Sequence, residues 1–190
     1  MTARIVLPPP LPVELRPIGV MRSPLQVHHD APRQPRVRAA GEAPVPGEIH
    51  IAQGLQNCLH DLDGFSHVWV LFVFHHARGW SSKVMPPRDR KKRGLFSTRS
   101  PARPNPIGMS CLELLRIERR VVYVGDHDIL DGTPILDLKP YLPYCDSVPD
   151  ARTGYADVLP AGAADHRAWW TQKGVPPPRV YRRRRKDDRG

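Results

Sequence analysis

Apolar and polar positions alternate in short runs along this chain, and the runs read mostly as strands. The longest is Val68–Phe74, seven β-branched, aromatic or leucine residues without a break. It predicts a strand over Ser66–His76, buried on both faces at the centre of the fold. His75 and His76 stand at its mouth. Ile107–Ile117 and Val121–Val124 flank the charged turn Glu118-Arg119-Arg120 and predict a hairpin. Shorter strands are expected at Glu14–Met21, Glu48–Ala52, Gly94–Thr98 and Ile135–Leu138. Leu55, Cys58, Leu59 and Leu62 recur at spacings of three and four, which predicts a short amphipathic helix over Gln53–Leu62. A second short helix is expected at Asp165–Gln172, with Trp169 and Trp170.

The stretches between these runs are rich in proline. The chain holds 23 prolines in 190 residues, well above the usual ~5%. An interior proline costs a helix about 3 kcal/mol, so a long-helix protein is excluded. Many short strands with no βαβ alternation define an all-β protein, a barrel or a sandwich with short helices and long proline-rich loops. The expected organisation is a disordered leader over 1–12, one domain over 13–150, a C-terminal extension over 151–173 and a disordered basic tail over 174–190.

No apolar run approaches the ~20 residues of a membrane-spanning helix, and the first residues lack the apolar core of a secretory signal. Cys58, Cys111 and Cys145 are odd in number and far apart, which fits a reducing compartment rather than a disulfide framework. Glycine-rich nucleotide fingerprints, a P-loop, HExxH and GxSxG are all missing. The nine histidines include no i, i+4 pair of the kind that holds zinc on a helix, so no metal is expected.

Charge changes this picture. The net charge is +10, and it is concentrated in two places. Residues 83–103 carry eight Lys or Arg against one acid, and residues 179–190 carry seven against two. Clustered cations of this kind are either the footprint of a polyanion partner or a solvated loop and a solvated tail, and the interleaved Ser, Pro and Gly of 83–103 favour the first for that segment. Arg88, Arg90, Lys91, Lys92 and Arg93 are the candidate phosphate contacts, and Trp80, Trp169 and Trp170 are either stacking platforms or packed aromatics. Within residues 97–110, three prolines fix the backbone while Arg99, Arg103 and Asn105 are presented from it, a rigid mount for a preorganised site.

Specific motifs add to this reading. Pro17-Ile18-Gly19-Val20, Pro32-Arg33-Gln34-Pro35, Gly64-Phe65-Ser66-His67-Val68-Trp69, Phe72-Val73-Phe74-His75 and Thr98-Arg99-Ser100 come first. Arg103-Pro104-Asn105-Pro106-Ile107-Gly108, Asp131-Gly132-Thr133-Pro134 and Asp137-Leu138-Lys139-Pro140-Tyr141 follow. In this order, over about residues 15–150, the chain resembles the TrmO family, also called TsaA-like. The resemblance implies a small single-domain β-barrel that binds S-adenosylmethionine (SAM) and works as a cytoplasmic homodimer. The reaction it implies is methylation of N6 of threonylcarbamoyladenosine at position 37 of tRNA.

Transferred residue by residue, the resemblance places the cofactor against Gln34, Pro35, Arg36, Phe74, His75, Arg99, Met109, Gly125, Asp126, His127 and Asp128. The family usually has glycine where this chain has Arg36. Many members also carry a further C-terminal domain where this chain has a short basic tail. The target nitrogen must lose a proton, so a general base is wanted. Asp137, Lys139 and Tyr141 share a strand face and form the candidate catalytic group. Asp137 is either that base, the group that orients Lys139 and Tyr141 around the substrate, or half of a structural ion pair with Lys139. Arg99 suits the carboxylate of the cofactor's methionine moiety. Arg103 suits that group, a tRNA phosphate or the substrate carboxylate. The alternatives are a SAM-dependent methyltransferase acting on another RNA or a small molecule, a noncatalytic RNA-binding barrel, and a metal-dependent hydrolase.

Overall fold

The computed structural model describes residues 14–28, 30–32, 34–35, 43–86 and 89–158. The expected leader, the helix at 165–172 and the basic tail lie outside the described residues.

Six strands close into an antiparallel barrel: β1 (Gly19–Arg22), β2 (Gly47–Ile51), β3 (His67–Val73), β6 (Ile107–Glu118), β7 (Val121–Val124) and β8 (Pro134–Pro140). Their order around the barrel is β1-β2-β7-β6-β3-β8. A separate two-stranded ribbon, β4 (Lys83–Val84) with β5 (Arg93–Gly94), carries the basic segment. The barrel rather than the sandwich is therefore the architecture, and closure leaves no strand of the main sheet unpaired.

The alternation of side chains along a strand sends one set inward. Met21, Ile49, Val68, Val70, Phe72, Leu112, Val122, Val124 and Ile135 fill the interior. Each aliphatic side chain so buried contributes about 1.5–3 kcal/mol. β3 departs from the expectation of two buried faces. Val68, Val70 and Phe72 are buried, but Trp69, Leu71 and Val73 are only half-buried on the outer face. β3 is nevertheless central, since it pairs with β6 on one side and β8 on the other.

The predicted hairpin is present. Its two-residue turn places Arg119 at φ 54, the left-handed backbone that tight hairpins use. β6 pairs with β3 through its first half and with β7 through its second, with a register shift between Leu114 and Arg116. Such an irregularity bends a long strand and lets it serve both neighbours.

Several elements differ from expectation. β1 begins only at Gly19, because Pro17 has no N–H to give the ladder. The helix over 53–62 is instead two 3-10 turns, Gln56–Leu59 and Leu62–Gly64, bounded by left-handed Gly54 and Asp61. Its apolar spacing still serves the core: Leu59 is buried, and Leu55 and Leu62 pack against the interior. The strand expected at 94–98 ends at Gly94 and gives way to a 3-10 turn at Leu95–Ser97. Ser97 Oγ and Thr98 Oγ1 donate to the carbonyls of Gly94 and Leu95 at 2.7 and 2.8 Å, turning the backbone out of the ladder. β8 is longer than expected, and a short helix, α1 (Pro143–Asp146), follows it.

Candidate functional site

Loops converge at the barrel end where β3 finishes and β6 begins. Phe74 N–H donates to the Pro106 carbonyl at 2.8 Å, which fastens the end of β3 to the proline-rich strap before β6. Gly108 pairs with Phe72. A Cβ there would lie 2.3 Å from the Phe72 ring, so only glycine lets that ring lie against the strap. Phe74 meets the same ring edge-to-face, with centroids 5.2 Å apart.

A polar chain crosses this end. Arg99, exposed on the strap, donates to the side-chain oxygen of Gln34 from the long loop. Arg99 also acts electrostatically on Asp128. Asp128 accepts from Ser110 Oγ on β6 at 2.7 Å. Burial pushes the Asp128 carboxyl up to about 6, with Ser110 and Arg99 opposing. Its neighbour His127 is fully buried, and burial lowers that imidazole to about 4. His127 Nδ1 accepts from the Ile129 N–H at 3.1 Å. Its Nε2 packs against Gly47, and the Pro46 carbonyl that faces it favours the charged form without completing a hydrogen bond. Asp126 anchors the far end of the long loop by accepting from the Val45 N–H at 2.6 Å. Gly125 is buried against Glu113.

His75, two residues past β3, has its Nδ1 3.4 Å from Thr133 Oγ1. His76 stacks beside it at 3.9 Å, and His28 from the long loop meets His76 edge-on at 6.1 Å. Burial lowers the pKa of both His28 and His75, and His76 lowers them further. Among the described residues no group of His, Cys, Asp and Glu is arranged to hold a metal ion.

The predicted catalytic group sits elsewhere, on the outer face of β8. Asp137 Oδ2 and Lys139 Nζ are 2.8 Å apart, so the ion pair is formed. Tyr141 packs against Trp69 and His67, with ring centroids 5.9 and 6.2 Å away. Strand pairing joins this group to one member of the cofactor set. Leu71 of β3 has Met109 as its β6 partner and Asp137 as its β8 partner. Met109 is exposed beside them.

The sequence-predicted residues therefore fall into two groups. Gln34, Arg99 and Asp128 meet at the barrel end, with Phe74 and His75 at the close of β3, whereas Met109 joins Asp137, Lys139 and Tyr141 on the outer face. Arg36 and Arg88 lie outside the described residues. Arg90, Lys91, Lys92 and Asn105 are exposed. Arg93 and Arg103 are engaged internally. Arg103 donates to the carbonyls of Thr98 and Ser100 and lies over Phe96, holding the strap in shape. Pro35 is half-buried beside Gln34. Sequence reasoning missed Ser110 and Thr133, whose hydroxyls gain meaning only from the partners that folding brings. A separate concavity of about 860 Å³, lined by Gln53, Asn57, Asp61 and Arg119 among others, opens beside the β6–β7 turn and holds none of the predicted site residues.

Barrel, proline-bound strap and converging loops define a small antiparallel-barrel protein with a polar end. Residues 20–147 match the profile of the tRNA-methyltransferase O N-terminal domain, and the chain belongs to that family. A tRNA (adenine(37)-N6)-methyltransferase of Escherichia coli K12 is 42% identical over 154 residues, covering 76% of this chain and 64% of that protein. An S-adenosyl-L-methionine-binding protein of Archaeoglobus fulgidus is 41% identical, covering 70% of this chain and 93% of that one. The crystal structure of TrmO from Pseudomonas aeruginosa aligns with a TM-score of 0.66 at 37% identity, covering 80% of this chain and 66% of that one. The chain thus spans just under two thirds of the E. coli relative.

Proposed function

We propose that this protein is a SAM-dependent methyltransferase acting on N6 of threonylcarbamoyladenosine at position 37 of tRNA. The observation that carries the reading is the cross-strand row Met109–Leu71–Asp137, in which one residue of the cofactor set and the candidate base flank the same β3 residue, two strands apart. Family membership and the names of the relatives support the same reaction.

The donor set fits the cofactor. An exposed guanidinium, Arg99, suits the α-carboxylate, and the Asp128 carboxylate suits a cationic ligand. Gln34 and Ser110 orient those two charged groups. Bound SAM supplies a methyl group on a sulfonium, a good leaving group. The protein's own task is alignment and removal of one proton. Asp137 takes that proton from N6. Lys139 holds the carboxylate in place, and the Leu138 N–H, 2.9 Å from Asp137 Oδ1, fixes its second oxygen. Tyr141 and Trp69 supply an aromatic wall for a base splayed out of the anticodon loop.

The working form is a homodimer. Phe96, Ile107 and Met109, all exposed and apolar near the site, support an interface that covers them. A cytoplasmic location suits a tRNA substrate and agrees with three free cysteines. Among the described residues no helix is long and apolar enough to cross a membrane.

Calorimetric titration of SAM, with and without tRNA carrying threonylcarbamoyladenosine, tests the proposal. SAM binding that tightens with the tRNA, or is followed by heat of turnover, is expected. Binding indifferent to the tRNA would assign another substrate, and no binding would leave a noncatalytic barrel.

A further inference from the structure

The basic segment contains one acid, Asp89, and that acid is buried at 6% exposure. Among the described residues it is the least exposed carboxylate. A carboxylate placed merely to dilute positive charge would sit in solvent. Asp89 instead makes three hydrogen bonds. Its Oδ1 accepts from the N–H groups of Arg90 and Lys91 at 2.7 and 3.0 Å, and its Oδ2 accepts from Arg93 Nε at 2.5 Å. Arg93 then stacks over the ring of Tyr155, 4.5 Å from its centroid. The Tyr155 hydroxyl donates to the Ser97 carbonyl at 3.0 Å.

The clamp ties three parts of the chain together: the ribbon tip, the start of the strap and the 3-10 turn at Gly154–Val158. Arg93 is consumed in it. Arg90, Lys91 and Lys92 are left exposed, and none makes an ion pair among the described residues.

We propose that Asp89 is a positioning residue for RNA binding, which folds the ribbon tip so that Arg90, Lys91 and Lys92 face a phosphate backbone together. This rests on the tRNA reading above. Its physical basis is preorganisation: a tip ordered beforehand does not lose that freedom on binding.

The test turns on sign. Asp89→Ala removes a negative charge from the segment, and charge alone then predicts tighter RNA binding. Preorganisation predicts the reverse, a loss of roughly five- to tenfold near 0.1 M salt. It also predicts a shallower salt dependence, by about one phosphate contact. Asp89→Asn keeps an acceptor for the Arg90 and Lys91 amides, so it should restore part of the loss. Binding is read by fluorescence anisotropy with an unmodified anticodon stem-loop RNA on the full chain. Melting of each variant is read alongside, and the barrel should melt unchanged. Should Asp89→Ala fail to fold, Tyr155→Leu removes the stacking partner and the hydroxyl, and should weaken binding in the same direction.

Lys91→Ala/Lys92→Ala serves as the control for the reading beneath. If that double variant weakens binding while Asp89→Ala binds as tightly as the parent or tighter, the positioning role is overturned and the RNA reading stands. If the double variant binds unchanged with unchanged salt dependence, the ribbon is not an RNA contact and both fall.

Discussion

Asp128→Asn should make this protein more stable at neutral pH. The native carboxyl titrates near 6 instead of its ordinary 3.8, because burial disfavours its charge. The folded chain therefore holds the proton more tightly than the unfolded chain does. That contribution to stability is fully present below pH 3.8 and is lost as pH rises through about 6. A difference of about two pH units corresponds to about 3 kcal/mol carried as a cost above pH 6. Asparagine keeps the volume and an oxygen to accept from Ser110 Oγ, but has no charge to bury. The variant should exceed the parent by up to about 3 kcal/mol at pH 7.5, roughly 6–12 °C in melting temperature for a chain of this size. The gap should close by pH 4. Urea unfolding of both proteins across pH 4–8 measures it, and the buried His127 titrates in both, so its effect cancels in the difference. A gap of constant size across that range, or a less stable variant at pH 7.5, would refute the reasoning. On the proposed role of Asp128 in holding the cofactor, SAM affinity should fall in the same variant.

Two other substitutions probe the barrel and its outer face. Gly108→Ala forces a methyl group into the Phe72 ring and should cost about 1–3 kcal/mol of stability, measured by denaturant unfolding. Asp137→Asn should leave SAM affinity in place and reduce methyl transfer by roughly 10²–10⁴-fold, the usual worth of a general base. Transfer at the parent rate would instead leave Asp137 as half of an ion pair with Lys139.

The strands were legible because they are written in local pattern, whereas pattern alone left barrel and sandwich open and only the pairing closes the sheet. The unbroken apolar run Val68–Phe74 marked a central strand, though not its half-buried outer face, and alternation and a turn sufficed for the β6–β7 hairpin. The Leu95–Ser97 turn was not legible, since two side-chain hydroxyls divert a segment whose composition also suits a strand. The site divides in the same way. Its proline-mounted arginines and the Asp137 motif stand out in sequence. The use of Arg93 and Arg103 as internal fasteners does not, because it depends on Asp89, Tyr155, Thr98 and Phe96 coming near in space. Nor does any local signal join Ser110 to Asp128. A buried acid inside a basic run was visible as an exception, but only its hydrogen bonds say what the exception is for.

The barrel is shut by a short seam. β1 and β8 share only two register pairs, Gly19↔Ile135 and Val20↔Pro134, whereas β3 and β6 share seven. The two strands come from opposite ends of the described barrel sequence, so their meeting closes the longest loop of chain in the sheet and draws the largest entropic penalty. The nucleus is better sought in β3, β6 and β7, where long ladders and a tight turn reward early contact. The β1–β8 seam is then expected to join late and part first, which native-state hydrogen exchange at Gly19 and Ile135 would show as early loss of protection. Thr133 accompanies that seam through its backbone carbonyl, which accepts from the Met21 N–H at 2.9 Å, while its hydroxyl faces His75. Opening the cylinder would therefore be felt first at the polar end where the loops converge.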